Sequence, residues 1–459
     1  MRAPGLKKIK KALGIGLILS VLSPFLLSCR SHDHRITLHL WIMPNSLDPV
    51  VEMKRALRDF ELENPGIRVE VSVFDWTVAW TKITTAATTK NGPDIVQMPT
   101  TWAAAITEMD ALLALDSLLE SVGGDSVFVE TSMKFARPVG SDSVTSIPWF
   151  LDVRPLYYRK DVLNQLQVNP EDIRTWEDFN EVLQKILDAK IVIEGKEVAP
   201  IGYPGRGDMN MVHSFAPWIW GSGGDFLDSA MTRSRLADEE SIRGILAFLD
   251  LVRRGFNNPN NLEKTMSQVS SDFDEGRLAF WFDATNKTIF LNSPRFLGGQ
   301  GMGVTARNYS CMLPPVASLE HDAYYFAGGS NLSVFKFSKH PKESAALVRY
   351  LSTRSEVALY MSRISGFLPA LKDTYEYSYF QEDEKRRIFQ KMVKSSKSYP
   401  AVSFWGEIET NILLQHFGNM FDLIAAAPWG TWPEEGIIRE IRAADREINE
   451  LIRKRQSLR

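Results

Sequence analysis

The sequence predicts an α/β fold spread over more than one lobe. Three observations carry that prediction. The chain beyond its first 34 residues opens with strand, helix, strand, helix, strand, an order that requires a sheet with parallel neighbours and crossover helices. Its 459 residues suffice for two or three domains and a large core. No internal repeat, low-complexity tract or Pro/Ser-rich linker interrupts it, so the lobes must join through short hinges.

Each element has a local reason. "RITLHLW" (Arg35 to Trp41) alternates and is rich in β-formers, which predicts a first strand. "DPVVEMKRALRDFELENPG" places apolar residues at helical spacing and stops at Pro-Gly. "IRVEVSVF" (Ile67 to Phe74) has period two and predicts the second strand. "WTVAWTKITTAATTKNG" predicts a helix closed by Asn91-Gly92, and "PDIVQM" a short buried strand. Further on, "TWEDFNEVLQKILDA" has Thr175 as N-cap and Asp178 at N3, a variant of the capping box. "DEESIRGILAFLDLVRRG" is an amphipathic helix ending at Gly255, and "HPKESAALVRYLST" starts with Pro341 in its first turn. The tail "EEGIIREIRAADREINELIRKR" predicts a long amphipathic helix.

Composition narrows the function. At 44% hydrophobic and 24% charged the chain is an ordinary globular protein. Its net charge of −3 hides a basic start: Arg2, Lys7, Lys8, Lys10 and Lys11 precede any acid, so the remainder is more acidic than the average. An acidic body argues against nucleic acid, whose phosphates need clustered Lys and Arg. The basic start, the apolar run Ala12 to Leu22 and "PFLLSC" ending at Cys29 predict an export signal, too short for a membrane span. Leu26, Leu27, Ser28 and Cys29 resemble a bacterial lipobox, which implies lipidation (palmitate among the acyl groups) of Cys29 as the mature N-terminus. Only Cys311 remains, so no internal disulfide or zinc ribbon is expected in the mature chain, and Cys311 is expected to be buried filler.

No G-x-S-x-G, H-E-x-x-H or P-loop occurs, and the histidines do not pair at ligand spacing. The expectation is a protein with no catalytic residues, no metal and no cofactor. Twelve tryptophans are the stronger signal. Trp41, Trp76 and Trp102 fall at the ends of the three opening strands, where ligands bind in open α/β sheets. A flat aromatic face suits the C–H face of a sugar ring, while carboxylates and amides suit its hydroxyls. Most tryptophans in proteins are nevertheless core or scaffold. "GSGG" (Gly221 to Gly224) is read as a turn, and "GGS" (Gly328 to Ser330) as a hinge candidate.

"FELENPGIRVEV", "GPDIVQM", "LLALDSLLE", "IPWFLDVRPLYYRKDVL" with "TWEDF", "FDEGRLAFWFD", "LPPV", "GGSNLSVFKFSKHPKESAALVRYL" and "GFLPA" occur in an order that resembles the extracellular solute-binding proteins of ABC uptake systems, the sugar-binding branch. The resemblance implies a type II, two-lobed periplasmic-binding-protein-like fold with its ligand cleft between lobes joined by hinge crossovers. It implies an N-terminal lobe from 36–146 plus 331–368 and a C-terminal lobe from 147–330 plus 369–459, behind a signal at 1–28 and a tether at 29–35. It implies ligand contact by Asn45, Thr101, Trp102, Trp149, Asp152, Asp208, Asn210, Trp281, Asp283, Asn286, Gly328, Gly329, Ser330 and Trp405, beside Trp76 from the tryptophan pattern. Tyr157, Tyr158, Arg159 and Asp161 are expected to be structural, and no role follows for Trp429 and Trp432. The implied function is capture of a mono- or oligosaccharide by lobe closure and delivery to a membrane permease, by a lipid-anchored, exported monomer. Alternatives are another small solute, a surface lipoprotein that captures glycan for a different importer, or an exported glycosidase.

Overall fold

The computed structural model describes residues 35–206, 208–320, 324–428 and 431–457. The expected signal, Cys29, all of the tether but its last residue, and Trp429 lie outside the described residues. The chain opens with β1 (Ile36–Ile42), α1 (Pro49–Glu63), β2 (Ile67–Val73), α2 (Trp76–Thr89), β3 (Ile95–Pro99) and α3 (Thr100–Glu108). β1 lies between β2 and β3 and is parallel to both, as a β-α-β-α-β opening demands. α1 starts where Asp48 accepts a hydrogen bond from the Val51 amide and Pro49 occupies the first turn. α2 closes on Lys90 in the left-handed conformation (φ 54°), one residue before the expected Asn-Gly. Gly92 matters instead for packing: a Cβ there would lie 2.6 Å from that of Ala86.

Two long strands enter this sheet from later in the chain. β4 (Ile147–Val153) leads through Arg154 and Pro155 into β5 (Leu156–Arg159). A small hairpin of β6 (Val192–Ile193) and β7 (Lys196–Glu197) precedes β8 (Ala199–Gly202), β9 (Leu278–Phe282) and β10 (Tyr309–Met312). β11 (Tyr325–Val334) is followed by β12 (Leu368–Pro369) and β13 (Ser396–Lys397). The first sheet runs β12-β4-β11-β3-β1-β2, with β13 alongside β11; the second runs β10-β5-β9-β8. β11 is antiparallel to both β3 and β4, so the first sheet is mixed. The protein is a two-lobed α/β molecule, each lobe built on one of these sheets.

Helices bury each sheet. Thr175 and Asp178 form the expected capping box: the threonine hydroxyl accepts from the Asp178 amide at 3.2 Å and the carboxylate accepts from the Thr175 amide at 2.8 Å. Those bonds hold the Asp178 pKa below the usual carboxylate value, the Thr175 amide most of all. The terminal helix Glu434–Ser457 turns Ile437, Ile441, Ala444, Ile448 and Leu451 inward, a stripe of helical period. That stripe completes the second-lobe core with Phe179, Phe215, Phe248 and Phe417. Leu38, Leu40, Leu57, Phe60, Leu332 and Leu347 form the first-lobe core. A third apolar cluster, with Leu151, Val153, Tyr157, Phe273, Trp281 and Cys311, packs where β4 hands over to β5.

The stretch "IPWFLDVRPLYYRKDVL" thus divides between lobes. Its first half is β4; its second is β5 and a helix over Lys160–Gln165. Arg159 is fully buried, bonded to both carboxylate oxygens of Asp161 at 2.8 and 2.6 Å and to the Gly276 carbonyl at 2.9 Å. Its charge is therefore matched inside the second lobe, as a buried guanidinium requires.

Candidate functional site at the lobe crossover

A row of polar side chains crosses one face of the first sheet. Asn45, after β1, donates to Gln97 on β3 at 2.8 Å, and Gln97 donates to the Ser330 hydroxyl on β11 at 2.9 Å. All three are buried. The register then places Ser330 beside Phe150 and Gly328 beside Asp152 on β4. Asp152 lies one residue from the end of β4, and a Cβ at Gly328 opposite it would press on the Phe326 ring at 3.4 Å. Gly329 is needed for a different reason: at φ 141° a Cβ would lie 2.2 Å from the Phe150 carbonyl oxygen.

Arg154, in the two-residue crossover, carries the row into the second lobe. Its guanidinium donates to Asn210 Oδ1 at 2.8 Å and stands 5.3 Å above the Phe326 ring, within cation–π range. Asn210 in turn donates its amide and side-chain N–H groups to Asp208, each at 2.9 Å. Asp208 also accepts from the Met266 amide at 2.6 Å. One turn along the helix Asn210–Gly221, His213 Nδ1 pairs with the Tyr399 hydroxyl at 2.8 Å and lies 3.6 Å from Glu409 Oε1. Glu409 sits in a π-helical turn, Ile408–Leu413, of a kind frequent at functional sites.

Burial sets the protonation here. Glu409 is 1% exposed, and its pKa is pushed up to about 8, with the Trp405 indole and the Arg154 charge offsetting part of the shift. Burial and then Arg154 hold His213 well below the usual histidine value. The 3.6 Å contact is therefore between two neutral groups near pH 7, not an ion pair. Burial also raises Asp152 to about 6; Arg154 opposes this and the Asp283 charge adds to it. Several polar atoms in this region lack a protein partner at full hydrogen-bonding geometry: Asp152 Oδ1, Arg154 Nε, Trp405 Nε1 and both Glu409 carboxyl oxygens, although the indole N–H stands near enough to Glu409 to favour its ionised form. Buried polar atoms ordinarily have partners, so a cluster of orphans marks a place built to meet something else.

An aromatic platform lies on the first lobe. Trp76 and Trp80, one turn apart on α2, are 42% and 37% exposed. Both rings approach Trp102 of α3 edge-on, with centroids 6.5 and 5.4 Å away. Asp75 caps α2 and fixes Trp76 at its first position. α3 packs against the short helix Trp405–Glu407 of the second lobe. Arg455 bridges the same junction, reaching Glu108 and Glu407 at 3.2 Å each.

The expected site residues divide accordingly. Asn45, Asp152, Gly328, Gly329 and Ser330 share the sheet, and Asp208 and Asn210 join them through Arg154. Trp76 and Trp102 form the platform with Trp80, and Thr101 precedes Trp102 on α3. Trp149 is buried in the first-lobe core, its indole N–H without a partner, at a bulge where β4 leaves it unpaired with β11. Trp281 is fully buried because it packs into the apolar cluster with Leu151, Phe273 and Cys311; its N–H donates to Asp283 at 2.8 Å. Asp283 also accepts from the Ala284 amide, and Asn286 is half-buried at the start of the helix Lys287–Asn292. Trp405 is fully buried and stacks on Tyr399 at 4.5 Å, so neither it nor Trp281 offers a ring face to a ligand in this conformation. Gln97, Trp80, Arg154, His213, Tyr399 and Glu409 were missed. Only Gln97, a lone polar residue inside an apolar strand, and Trp80, one helical turn after Trp76, carried a local signal.

Among the described residues, no cluster of His, Cys, Asp or Glu could hold a metal ion, and no helix is long and apolar enough to cross a membrane. Two α/β lobes, short crossovers and a polar and aromatic junction define a solute-binding receptor architecture. Residues 55–388 match the family of bacterial extracellular solute-binding proteins, and the chain belongs to that family. A Brucella abortus binding protein is 23% identical over 362 residues, 78% of this chain and 81% of that protein. The GacH receptor of Streptomyces glaucescens superposes with a TM-score of 0.74 at 20% identity, covering 91% of this chain and 99% of the other. The sugar-binding protein MalE of Xanthomonas citri gives 0.72 at 20% identity, covering 92% and 98%. These structures share the fold.

Proposed function

We propose that the protein binds a carbohydrate, as a mono- or oligosaccharide, at the crossover between its lobes and hands it to the membrane permease of an ABC importer. The carrying observation is the row of buried donors and acceptors from Asn45 to Glu409, orphaned in part, beside the exposed faces of Trp76 and Trp80. Hydroxyls match the first and C–H faces the second. GacH in complex with acarbose and MalE as a sugar-binding protein support the same reading.

The residues we assign to ligand contact are Asn45, Trp76, Trp80, Trp102, Asp152, Arg154, Asn210, His213 and Glu409. The lobes close because the guest bonds both, which gives it greater affinity for the closed state. The assigned role is binding without chemistry. In this reading Cys29 carries the lipid that keeps an exported, monomeric receptor near its permease, since two or more acyl chains are needed for stable anchoring.

The test is calorimetric and fluorescence titration with glucose, maltose and longer maltodextrins, and with N-acetylglucosamine and its β-1,4 oligomers. Binding that Asp152→Asn weakens is expected. Silence of folded protein across both series would overturn the saccharide reading. Release of chromophore from a chromogenic glycoside, abolished by Asp152→Asn or Asp208→Asn, would replace it with hydrolysis.

A further inference from the structure

Asp152 does not stand alone at the crossover. The loop 283–286 joins β9 to the helix Lys287–Asn292 and runs past it. Against the burial that raises Asp152, the Thr285 amide of this loop stands near enough to the carboxyl to favour its ionised form. The loop is gripped from both sheets. Ala284 packs into the first-lobe cluster with Trp149 and Phe150, and its carbonyl accepts from the Tyr157 hydroxyl of β5 at 2.9 Å. Gly366, just before β12, allows a close approach: at φ 79° a Cβ there would lie 2.7 Å from Asn286 Cα.

A one-way relay fixes the loop from the other side. Lys287 is buried and pairs with Asp274 at 2.6 Å, so its charge is matched. Its ammonium also donates to the Ser270 hydroxyl at 2.6 Å. An ammonium has no lone pair to offer, so the Ser270 proton must turn elsewhere, and it turns to Asp283 Oδ2, 3.3 Å away. Asp283 accepts as well from the Trp281 indole and the Ala284 amide, each at 2.8 Å. Ser270 and Asp274 lie one turn apart on the helix Met266–Asp274, whose first amide donates to Asp208. One helix thus frames both arms of the crossover. Its start reaches Arg154 through Asp208 and Asn210, and its middle reaches Asp152 through Asp283 and the loop.

We propose that Ser270 is a positioning residue for saccharide binding: oriented by Lys287, it pins Asp283 and with it the loop that sets the Asp152 carboxyl for a guest hydroxyl, while touching no guest itself. This rests on the saccharide reading above, in which Asp152 meets the ligand.

Two measurements on the full chain test it with Ser270→Ala. Ser270 is half-buried and the change is small, so the variant should fold. The first measurement needs no ligand. Hydrogen exchange read by mass spectrometry should quicken about tenfold in the segment 283–287 and stay as it was elsewhere. The second is calorimetry with the maltodextrin and N-acetylglucosamine series. Ser270→Ala should bind the tightest member about tenfold more weakly than the wild type. In an Asp152→Ala background the same change should cost nothing further, because its route to the guest is gone. A merely structural serine would cost the same in both backgrounds, and that result overturns the proposal, as does no loss in either. Unchanged exchange in 283–287 also removes the positioning role and leaves the saccharide reading intact. Silence of the wild type toward both series removes the saccharide reading and the positioning role together.

Discussion

Replacing Glu409 with glutamine should flatten the dependence of stability on pH. The carboxyl is buried, and its pKa is raised from 4.5 to about 8. Below pH 4.5 the folded and unfolded chains both hold the proton, and the stability it confers on the fold is fully present. Between 4.5 and about 8 the unfolded chain releases the proton while the folded chain retains it. Stability therefore falls as pH rises through this window, and levels off above it. At about 1.4 kcal/mol for each tenfold, the whole effect is about 5 kcal/mol, an upper figure for a group that can draw water when it ionises. Glutamine keeps the shape and cannot ionise. Its extra N–H adds a cost that does not vary with pH, so the slope of the difference is the readout. Asp152, raised to about 6, remains in both proteins and cancels. Urea unfolding followed by tryptophan fluorescence from pH 4.5 to 9 gives both curves. The variant should gain on the wild type by several kcal/mol over that range. A constant difference would mean that Glu409 ionises in the folded protein as it does in water, and the account of the crossover cluster would fail.

Other changes separate scaffold from site. Gly329→Ala puts a Cβ 2.2 Å from the Phe150 carbonyl at a positive φ, and should lower unfolding free energy by about 2 kcal/mol or more in urea. Arg159→Ala leaves Asp161 without its partner and should cost about 3–5 kcal/mol, read as a fallen melting temperature with saccharide affinity per folded molecule unchanged. Trp76→Ala and Trp80→Ala each remove a half-buried ring packed on Trp102, so stability should fall by about 1–2 kcal/mol while saccharide affinity per folded molecule, read by calorimetry, falls as well. Affinity equal to wild type in both would remove the platform from the site.

What the sequence disclosed was local. Thr175 and Asp178 sit three residues apart, and their capping box could be read from that spacing alone. The parallel opening strands followed from alternation and from the helices between them. The crossover cluster had no such signature. His213 and Tyr399 meet across 186 residues, and Glu409 reaches them from a π-helical turn that no apolar period announces. Trp281 and Trp405, both expected at the ligand, are fully buried in this conformation for the opposite reason. A tryptophan near a turn signal suggests an open edge, but Trp281 packs into the cluster with Leu151 and Phe273, and Trp405 is covered by Tyr399 and Phe226. Burial in those cases is decided by neighbours distant in the chain.

The orphaned atoms connect the geometry to closure. Shifting a population from 1:99 to 99:1 takes about 5.5 kcal/mol of preference for one state. A hydrogen bond restored to a buried, unpaired group contributes about 1–3 kcal/mol. Asp152 Oδ1, Arg154 Nε, Trp405 Nε1 and the Glu409 oxygens are such groups, and they flank the hand-over from β4 to the second lobe. A guest with several hydroxyls that satisfied three or four of them could supply the whole preference, before any ring met Trp76 or Trp80. Closure would then be driven from the polar row, with the aromatic platform selecting which guest arrives.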